Sequence, residues 1–422
     1  MATGAEALTQ LANRRNELAA NLNTMGVAAS STETLKALNA KVLAIPTDGT
    51  GVTPEDVYAI TRPADWLTMP DVSEDEMYML FHLKAPAENY IAFTVTCTGS
   101  YTVEYGIVSE STFTATGSDA VSSGTKYQNT FLYDDWADET SGGSRQVMLR
   151  ITGTDIKTFI PTFHSDRNWT LFYSWNVMEV KANLPVCTRC LMGATTSYQY
   201  SAFQHLRYFS LEGTNSITNG DHMFRNCRSL LAVLALDTSN MTTANYLFYY
   251  AMSLAAIPKT CDFSNVASAT YMLYYNCAIV DLSWCNFSSL ETASYMFQAC
   301  NALRYPPIFD SGKLTSISGI FNSAISVEYI VLYCATVTAA ATPFGSNYNL
   351  SKVILSSTGT TFPAAFTFQY SVLTDAAAEA LADSLPEITT SRAITVSGTP
   401  FAASANYSTI EAKFNAKGWA LA

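Results

Sequence analysis

A nine-residue motif recurs at nearly constant spacing between about residue 198 and about residue 373. Most copies have apolar residues at the second and third positions, a small residue at the sixth and an aliphatic residue at the ninth. The copies begin at Tyr198, His222, Tyr246, Tyr271, Tyr295 and Gly319, and looser copies follow near Phe344 and Phe366. A period of 24 or 25 residues predicts stacked units whose cores form only between neighbours. The chain is therefore expected to contain a solenoid.

A second signature, in which Asp or Asn precedes Ser, Asn or a similar small residue, follows the motif in several repeats. It begins at Asp237, Asp262, Asn286 and Asp310. Such residues predict turns closed by hydrogen bonds from the backbone to their side chains. A column of Asp side chains leaves calcium as an alternative, but each repeat offers one acid and the glycine-rich calcium-binding nonapeptide is missing. We expect no metal and no other cofactor.

Composition excludes several partner classes. Of 422 residues, 14% are charged and 48% are hydrophobic, which is typical of a packed chain of two or three domains. A net charge of −12 disfavours nucleic acid, because phosphate binding needs a basic surface. The first residues contain neither a basic nor an apolar signal region, so neither secretion nor membrane insertion is expected. We expect assembly in the cytoplasm and exposure on the surface of a larger particle.

The N-terminal residues 1–46 predict a helical, coiled-coil-like segment. Its apolar residues at 3-4 heptad spacing are Leu8, Leu11, Leu18, Leu22 and Met25. Helices this short need a partner to be stable. We expect an oligomerisation or docking segment of a homo-oligomer, specifically a trimer, with an intramolecular helical hairpin as the alternative.

The rest of the chain divides by its residue patterns. Residues 47–56 predict a linker because they are rich in Gly, Pro and Thr. Seven short β-rich runs, separated by polar turns such as Thr116–Asp119, predict an antiparallel β-sandwich over residues 57–183. The runs are Met77–Leu83, Tyr90–Thr96, Tyr101–Ile107, Tyr127–Tyr133, Gln146–Thr152, Phe159–Phe163 and Trp175–Lys181. An α/β solenoid is expected over 184–373, and a C-terminal cap with two helices over 374–422.

Catalytic and metal-binding patterns are weak. The histidines His82, His164, His205 and His222 lie outside the known hydrolase motifs. The acidic runs at Glu74–Glu76 and Asp134–Asp138 are more typical of solvated loops, although a glycan hydrolase with paired carboxylates is an alternative. The Cys187-Thr-Arg-Cys190 pair lacks the second pair that zinc needs. Nine cysteines, an odd number, favour free thiols, and we expect no enzymatic activity.

Positions four and five of the motif vary more than their neighbours. The pairs are Arg225/Asn226, Tyr249/Tyr250, Tyr274/Tyr275, Gln298/Ala299 and Asn322/Ser323. A core position would not accept such different residues, so at least one of each pair is expected to face water. Tyr249, Tyr250, Tyr274 and Tyr275 are therefore the candidate receptor contact. The alternative is that these tyrosines only cover the repeat surface.

The repeat resembles the BspA-like class of leucine-rich repeats, on the pattern Met-Phe-x-x-Cys-x-x-Leu followed by Asp-x-Ser-Asn-Val. The wider layout is similar to tail-fibre or adhesin proteins of phages that infect gut bacteria. The segments that carry this likeness are Leu18–Leu35, Arg62–Leu67 and Gly99–Gly106. Relatives continue the last segment as Trp-Gly-Asp-Gly, whereas this chain has Tyr105-Gly106-Ile107.

The resemblance implies a leucine-rich-repeat solenoid in a virion structural protein. Such a phage tail fibre or receptor-binding adhesin recognises a glycan or protein of the host surface and contacts other virion proteins. The alternatives are a capsid-attached head fibre or decoration protein of the same build, and a bacterial surface adhesin.

Overall fold

The computed structural model describes residues 52–85, 89–137, 139–162, 176–193, 203–309, 312–334, 336–356, 365–368 and 370–422. The predicted helical segment 1–46 lies outside these residues, and with it Leu8, Leu11, Leu18, Leu22 and Met25. In the described part of the chain, no helix is long and apolar enough to cross a bilayer.

Three short helices and sixteen strands are present in the described residues. The helices are α1 (Pro54–Thr61), α2 (Asp375–Ser384) and α3 (Tyr407–Ala416). Strands before the repeats are β1 (Glu76–Leu83), β2 (Asn89–Thr96), β3 (Ser100–Ser109), β4 (Thr112–Ser122), β5 (Lys126–Phe131), β6 (Arg145–Thr152), β7 (Thr158–Pro161), β8 (Val177–Asn183) and β9 (Arg189–Cys190). The later strands are β10 (Tyr208–Leu211), β11 (Ala232–Ala235), β12 (Tyr329–Tyr333), β13 (Lys352–Ser356), β14 (Ala365–Thr367), β15 (Arg392–Thr395) and β16 (Trp419–Leu421).

Two sheets form the first half of the molecule. One has the strand order β11-β10-β8-β1-β6-β3-β4, and the other has the order β5-β2-β7-β9. Their facing side chains share one core, in which Phe81 and Phe131 have ring centroids 5.9 Å apart. β1 is buried along its whole length, because the second sheet covers one face and α1 with Trp66 packs on the other.

The prediction of a separate antiparallel sandwich is wrong. β10 and β11 come from the repeat region, yet β10 pairs in parallel with β8 and extends the first sheet. The apolar core is continuous from Met77 to Trp419. The strand signals in the sequence were local and did not reveal that the edge of β8 is covered by the next unit, which protects it from unwanted pairing.

The prediction of an α/β solenoid is also wrong, because the repeats form a β-solenoid of about eight turns. Within the described residues of the repeats there is no α-helix. Neighbouring turns meet through single-residue parallel bridges that continue from Asn219 through Thr243, Ser268, Thr292 and Ser316 to Ala339.

Left-handed backbone conformations at the first and fifth motif positions explain why the repeats are not helical. The φ angles are 66° and 64° at His222 and Asn226, 57° and 57° at Tyr246 and Tyr250, 58° and 59° at Tyr271 and Tyr275, 58° and 58° at Tyr295 and Ala299, and 61° and 60° at Gly319 and Ser323. Residues other than glycine reach this region at a cost of roughly 1–2 kcal/mol each. An α-helix cannot continue through it.

Hydrogen bonds between turns compensate for this backbone cost. Three alternate N–H groups of one motif donate to carbonyls of the next turn: Tyr246 to Thr270 at 3.0 Å, Phe248 to Met272 at 2.8 Å, and Tyr250 to Tyr274 at 2.9 Å. The N–H groups of Leu247 and Tyr249, which lie between them, donate to carbonyls three residues earlier and close tight turns. The backbone of the solenoid is thus satisfied without a helix.

Three of the four predicted side-chain turns are confirmed, and the fourth, at Asp310, lies outside the described residues. The backbone N–H groups of Ser239, Ser264 and Ser288 donate to the side chains two residues earlier, at 2.9, 2.8 and 3.0 Å. These acceptors are Asp237, Asp262 and Asn286. All nine cysteines carry free thiols, and Cys227 and Cys300 are fully buried at the sixth motif position.

The C-terminal region closes the core after the last repeats. β14, β15 and β16 form a parallel sheet. α3 packs on β16, and α2 packs on β13 and on α3. Trp419 is buried, and its indole N–H donates to the carbonyl of Pro386 at 2.9 Å. This arrangement shields the apolar end of the solenoid from water.

Candidate recognition surface

Equivalent motif residues form columns because neighbouring turns pair in parallel. At the first position, His222, Tyr246, Tyr271 and Tyr295 stack in sequence. Their ring centroids are 5.0, 5.1 and 4.8 Å apart, and their planes differ by 19°, 13° and 13°. The spacing is that of adjacent β-strands, so the rings follow the turns of the backbone.

Two further columns come from positions four and five. Tyr249 stacks on Tyr274 at 5.0 Å and 9°, and Tyr250 stacks on Tyr275 at 4.9 Å and 3°. The columns meet edge to face, as between Tyr249 and Tyr250, whose centroids are 4.7 Å apart at 62°. We call the seven rings the tyrosine surface: Tyr246, Tyr249, Tyr250, Tyr271, Tyr274, Tyr275 and Tyr295.

The two ends of the tyrosine surface differ in chemistry. Towards the N-terminus, the guanidinium of Arg225 lies 5.0 Å from the ring centroid of Tyr246 and 5.2 Å from that of Tyr249. Arg228 lies 5.8 Å from the ring of Tyr250. Towards the C-terminus the columns end in the uncharged residues Gln298, Ala299 and Gly319, and a Cβ on Gly319 would come within 2.4 Å of the Tyr295 ring. One end is therefore cationic and the other is uncharged.

The rings of the tyrosine surface are partly accessible to solvent. Tyr275 is 37% exposed, and the other six are half-buried. Because the stacked faces cover each other, the hydroxyl-bearing edges are what a partner meets. Burial, followed by the neighbouring hydroxyls of Tyr250 and Tyr249, raises the pKa of Tyr274 to about 12. This phenol stays protonated at neutral pH and can both donate and accept hydrogen bonds.

The structure brings together the four tyrosines chosen from the sequence. Position four is half-buried in all five copies from Arg225 to Asn322, whereas position five ranges from buried Asn226 to exposed Tyr275. Sequence reasoning missed the first-position column and the two arginines. The signal was available, since His or Tyr begins five successive copies, from Tyr198 to Tyr295.

The weaker sequence candidates take structural roles. Glu76 is buried and pairs with Arg150 at 2.6 Å. Asp75 accepts hydrogen bonds from the backbone of Asp155 and Ile156 at 2.8 and 2.9 Å. Cys187 and Cys190 are buried. The hydrogen bond between them lowers the pKa of Cys187 against the opposing effect of burial, and the same bond together with burial raises the pKa of Cys190. Among the described residues, no three histidine, cysteine or acidic side chains group as metal ligands.

Comparison with known proteins locates a family likeness within the repeats. A search of the curated proteins finds no match. Residues 198–308 match the family described as "Mycoplasma protein of unknown function, DUF285". This span contains every ring of the tyrosine surface. The repeats over residues 198–308 are therefore similar to those of the DUF285 family, and their described part, residues 203–308, is folded here as a β-solenoid.

Proposed function

We propose that this chain is a surface-recognition protein that contacts its target through the tyrosine surface. The observation that carries the proposal is the set of seven stacked tyrosines on consecutive turns, with arginines at one end. Aromatic side chains offer a large contact area at low conformational-entropy cost, and Tyr and Arg are enriched where interfaces gain most of their energy.

The backbone does not require tyrosine at these places. Positions one and five are left-handed, where glycine and asparagine fit more easily than a bulky residue. Gly319 and Asn226 fill the same positions in other turns. Tyrosines that the local conformation disfavours need another reason, and partner binding supplies one.

We place this activity on a phage particle, as a tail fibre or receptor-binding adhesin that recognises a host glycan or protein. The likeness of Leu18–Leu35, Arg62–Leu67 and Gly99–Gly106 to such proteins supports this placement. The DUF285 description names Mycoplasma, which keeps a bacterial surface adhesin as an alternative, and a head fibre or decoration protein is a further one. In the proposed particle the chain is a homo-oligomer, a trimer, attached to other virion proteins.

Binding to cells tests the tyrosine surface. Fluorescent full-length chain is incubated with a panel of gut bacterial strains, and we expect binding to at least one of them. The double variant Tyr250→Ala/Tyr275→Ala should bind at least tenfold less. The matched control, Tyr348→Ala/Tyr370→Ala, removes two exposed rings elsewhere on the solenoid and should bind normally. Equal binding by both folded variants would exclude the tyrosine surface.

Labelling of particles tests the location. Antibodies against the chain should mark the tails of isolated phage particles in electron micrographs. Label on the capsid would favour the head-fibre alternative, and label on bacterial cells alone would favour the cellular adhesin. Light scattering on the full-length chain gives the oligomeric state, and a monomer would contradict the trimer.

A further inference from the structure

A cleft of about 450 Å³ opens at the β4 edge of the first sheet, which is the edge opposite the solenoid strands. β3, β4, β5 and the residues after β5 form its walls. The strand order places β4 at one edge and the repeat strands at the other edge. The cleft is therefore separate from the tyrosine surface, and its volume is within the range of small-molecule sites.

Glycines shape the wall of the cleft. A Cβ on Gly117 would lie 2.3 Å from the Tyr105 ring, so this ring crosses β4 only because Gly117 has no side chain. The register between β3 and β4 shifts at Tyr105/Gly106, which makes a bulge at Thr116. The Thr116 hydroxyl fixes the bulge by donating to the carbonyl of Tyr105 at 3.0 Å. Bulges of this kind redirect side chains near binding sites.

The cleft combines aromatic and polar groups. Tyr105 meets Phe131 edge to face at 5.4 Å, and Phe131 meets Trp136 at 6.0 Å. Asn129 is held in place, because its amide donates to the Tyr127 hydroxyl at 3.0 Å and accepts from the Thr130 N–H at 2.7 Å. These two bonds use half of the hydrogen-bonding capacity of the amide. Asp135 is exposed at the rim.

We propose that this cleft binds one ring of a neutral pyranose, as a carbohydrate site independent of the solenoid. The apolar C–H face of a sugar suits the half-buried ring of Tyr105, behind which Phe131 and Trp136 are buried, because aromatic faces are negative and C–H hydrogens are positive. Sugar hydroxyls donate to the Asp135 carboxylate, which makes a strong, charge-assisted hydrogen bond. The residues that line the cleft include an acid but no lysine or arginine, so acidic sugars are repelled and neutral ones are selected.

Saturation-transfer NMR on the full-length chain tests the site. The probes are the methyl glycosides of glucose, galactose, mannose and N-acetylglucosamine, with glucuronic acid as the acidic comparison. At least one neutral glycoside should show transfer, and glucuronic acid should show none. The absence of transfer to every neutral glycoside, or equal transfer to glucuronic acid, would overturn the proposal.

Three variants locate the signal. Asp135→Ala should weaken binding at least tenfold, whereas Asp134→Ala, the adjacent exposed acid outside the cleft, should leave it unchanged. Ile107→Trp fills the cleft from an exposed position and should abolish transfer with an unchanged melting temperature. Transfer that survives Ile107→Trp, or that disappears only in Tyr250→Ala/Tyr275→Ala, places the sugar elsewhere and refutes the site. Failure of the cell-binding test leaves these outcomes unaffected.

Discussion

Single side chains inside the solenoid hold neighbouring turns together. Asn276 is fully buried at the sixth motif position. Its amide donates to the Ala251 carbonyl at 2.9 Å and accepts from the N–H groups of Ala278 and Ile279 at 3.2 and 3.0 Å. The residue therefore satisfies three backbone groups, two of which belong to buried residues, and the small size of the other residues in the column did not predict this role.

Replacing Asn276 by Ala should destabilise the chain by about 2–4 kcal/mol, because buried backbone groups lose their partners. Asn265→Ala is the matched control, since Asn265 also bonds to a carbonyl of the preceding turn, at 2.8 Å, but is exposed. The control should cost less than about 1 kcal/mol. Urea unfolding measures both, and similar losses would refute this role for Asn276.

The burial of His82 predicts that the free energy of unfolding depends on pH. Burial, followed by the charge of Arg207, lowers the pKa of His82 to about 4. The unfolded chain binds this proton near pH 6.5, so the stability from neutral His82 is full above that pH and is lost as pH falls towards 4. Between pH 7 and pH 5, this group should cost about 2 kcal/mol.

The measurement is the free energy of unfolding at pH 7 and pH 5. Burial also lowers the pKa of His205 and His222, which adds loss of the same sign. The difference in this pH dependence between the native chain and His82→Gln isolates the contribution of His82. The variant should lose about 2 kcal/mol less over this interval. An identical pH dependence in both chains would exclude His82 as a cause.

Each motif copy from His222 to Ser323 contains two residues in the left-handed conformation. The energetic cost of this conformation can be tested by comparing alanines at positions five and six. Ala299 occupies position five with φ 58°, while Ala251 at position six lies outside the left-handed region. Glycine relieves the cost of a left-handed conformation but gives no such relief elsewhere. Ala251→Gly should therefore destabilise by about 1–2 kcal/mol more than Ala299→Gly. Thermal unfolding of both variants decides this, and equal losses would argue against backbone strain at position five.

At the scale of elements, the sequence predicted the positions of the strands better than it predicted which strands pair. The run Met77–Leu83 corresponds to β1, and Gln146–Thr152 corresponds to β6. β4 was missed because Thr116–Asp119 looks like a turn and the strand has no apolar alternation. Pairing with β3 overrides that local signal, and Gly117 is needed there for the Tyr105 ring.

The repeat motif predicted stacking and the tyrosine columns, but it did not predict their backbone. Met, Phe and Leu at motif spacing fit a helix as well as a turn. Half of the ten left-handed residues that exclude the helix are tyrosines, which no propensity rule assigns to that conformation. Only the contacts between neighbouring solenoid turns decide whether the motif forms a helix or a tight turn, and those contacts are not local in sequence.

For the whole molecule, the parallel pairing of β8 with β10 joins the two halves into one core. Phe209 in β10 is fully buried and meets Phe224 of the next turn at 4.9 Å. Phe209→Ala should cost about 3–5 kcal/mol and should speed hydrogen exchange both in β1 and around Phe224. Faster exchange on one side only would show that the halves unfold independently.

The tyrosine columns also have an optical consequence. Their ring planes lie within 3° to 13° of each other at about 5 Å, so the near-ultraviolet transitions of neighbouring phenols are coupled. The strength of the resulting circular dichroism depends on the distance and angle between successive turns. Any ligand or force that stretches or twists the solenoid should therefore change this signal. Near-ultraviolet circular dichroism thus reports deformation of the solenoid without an added label.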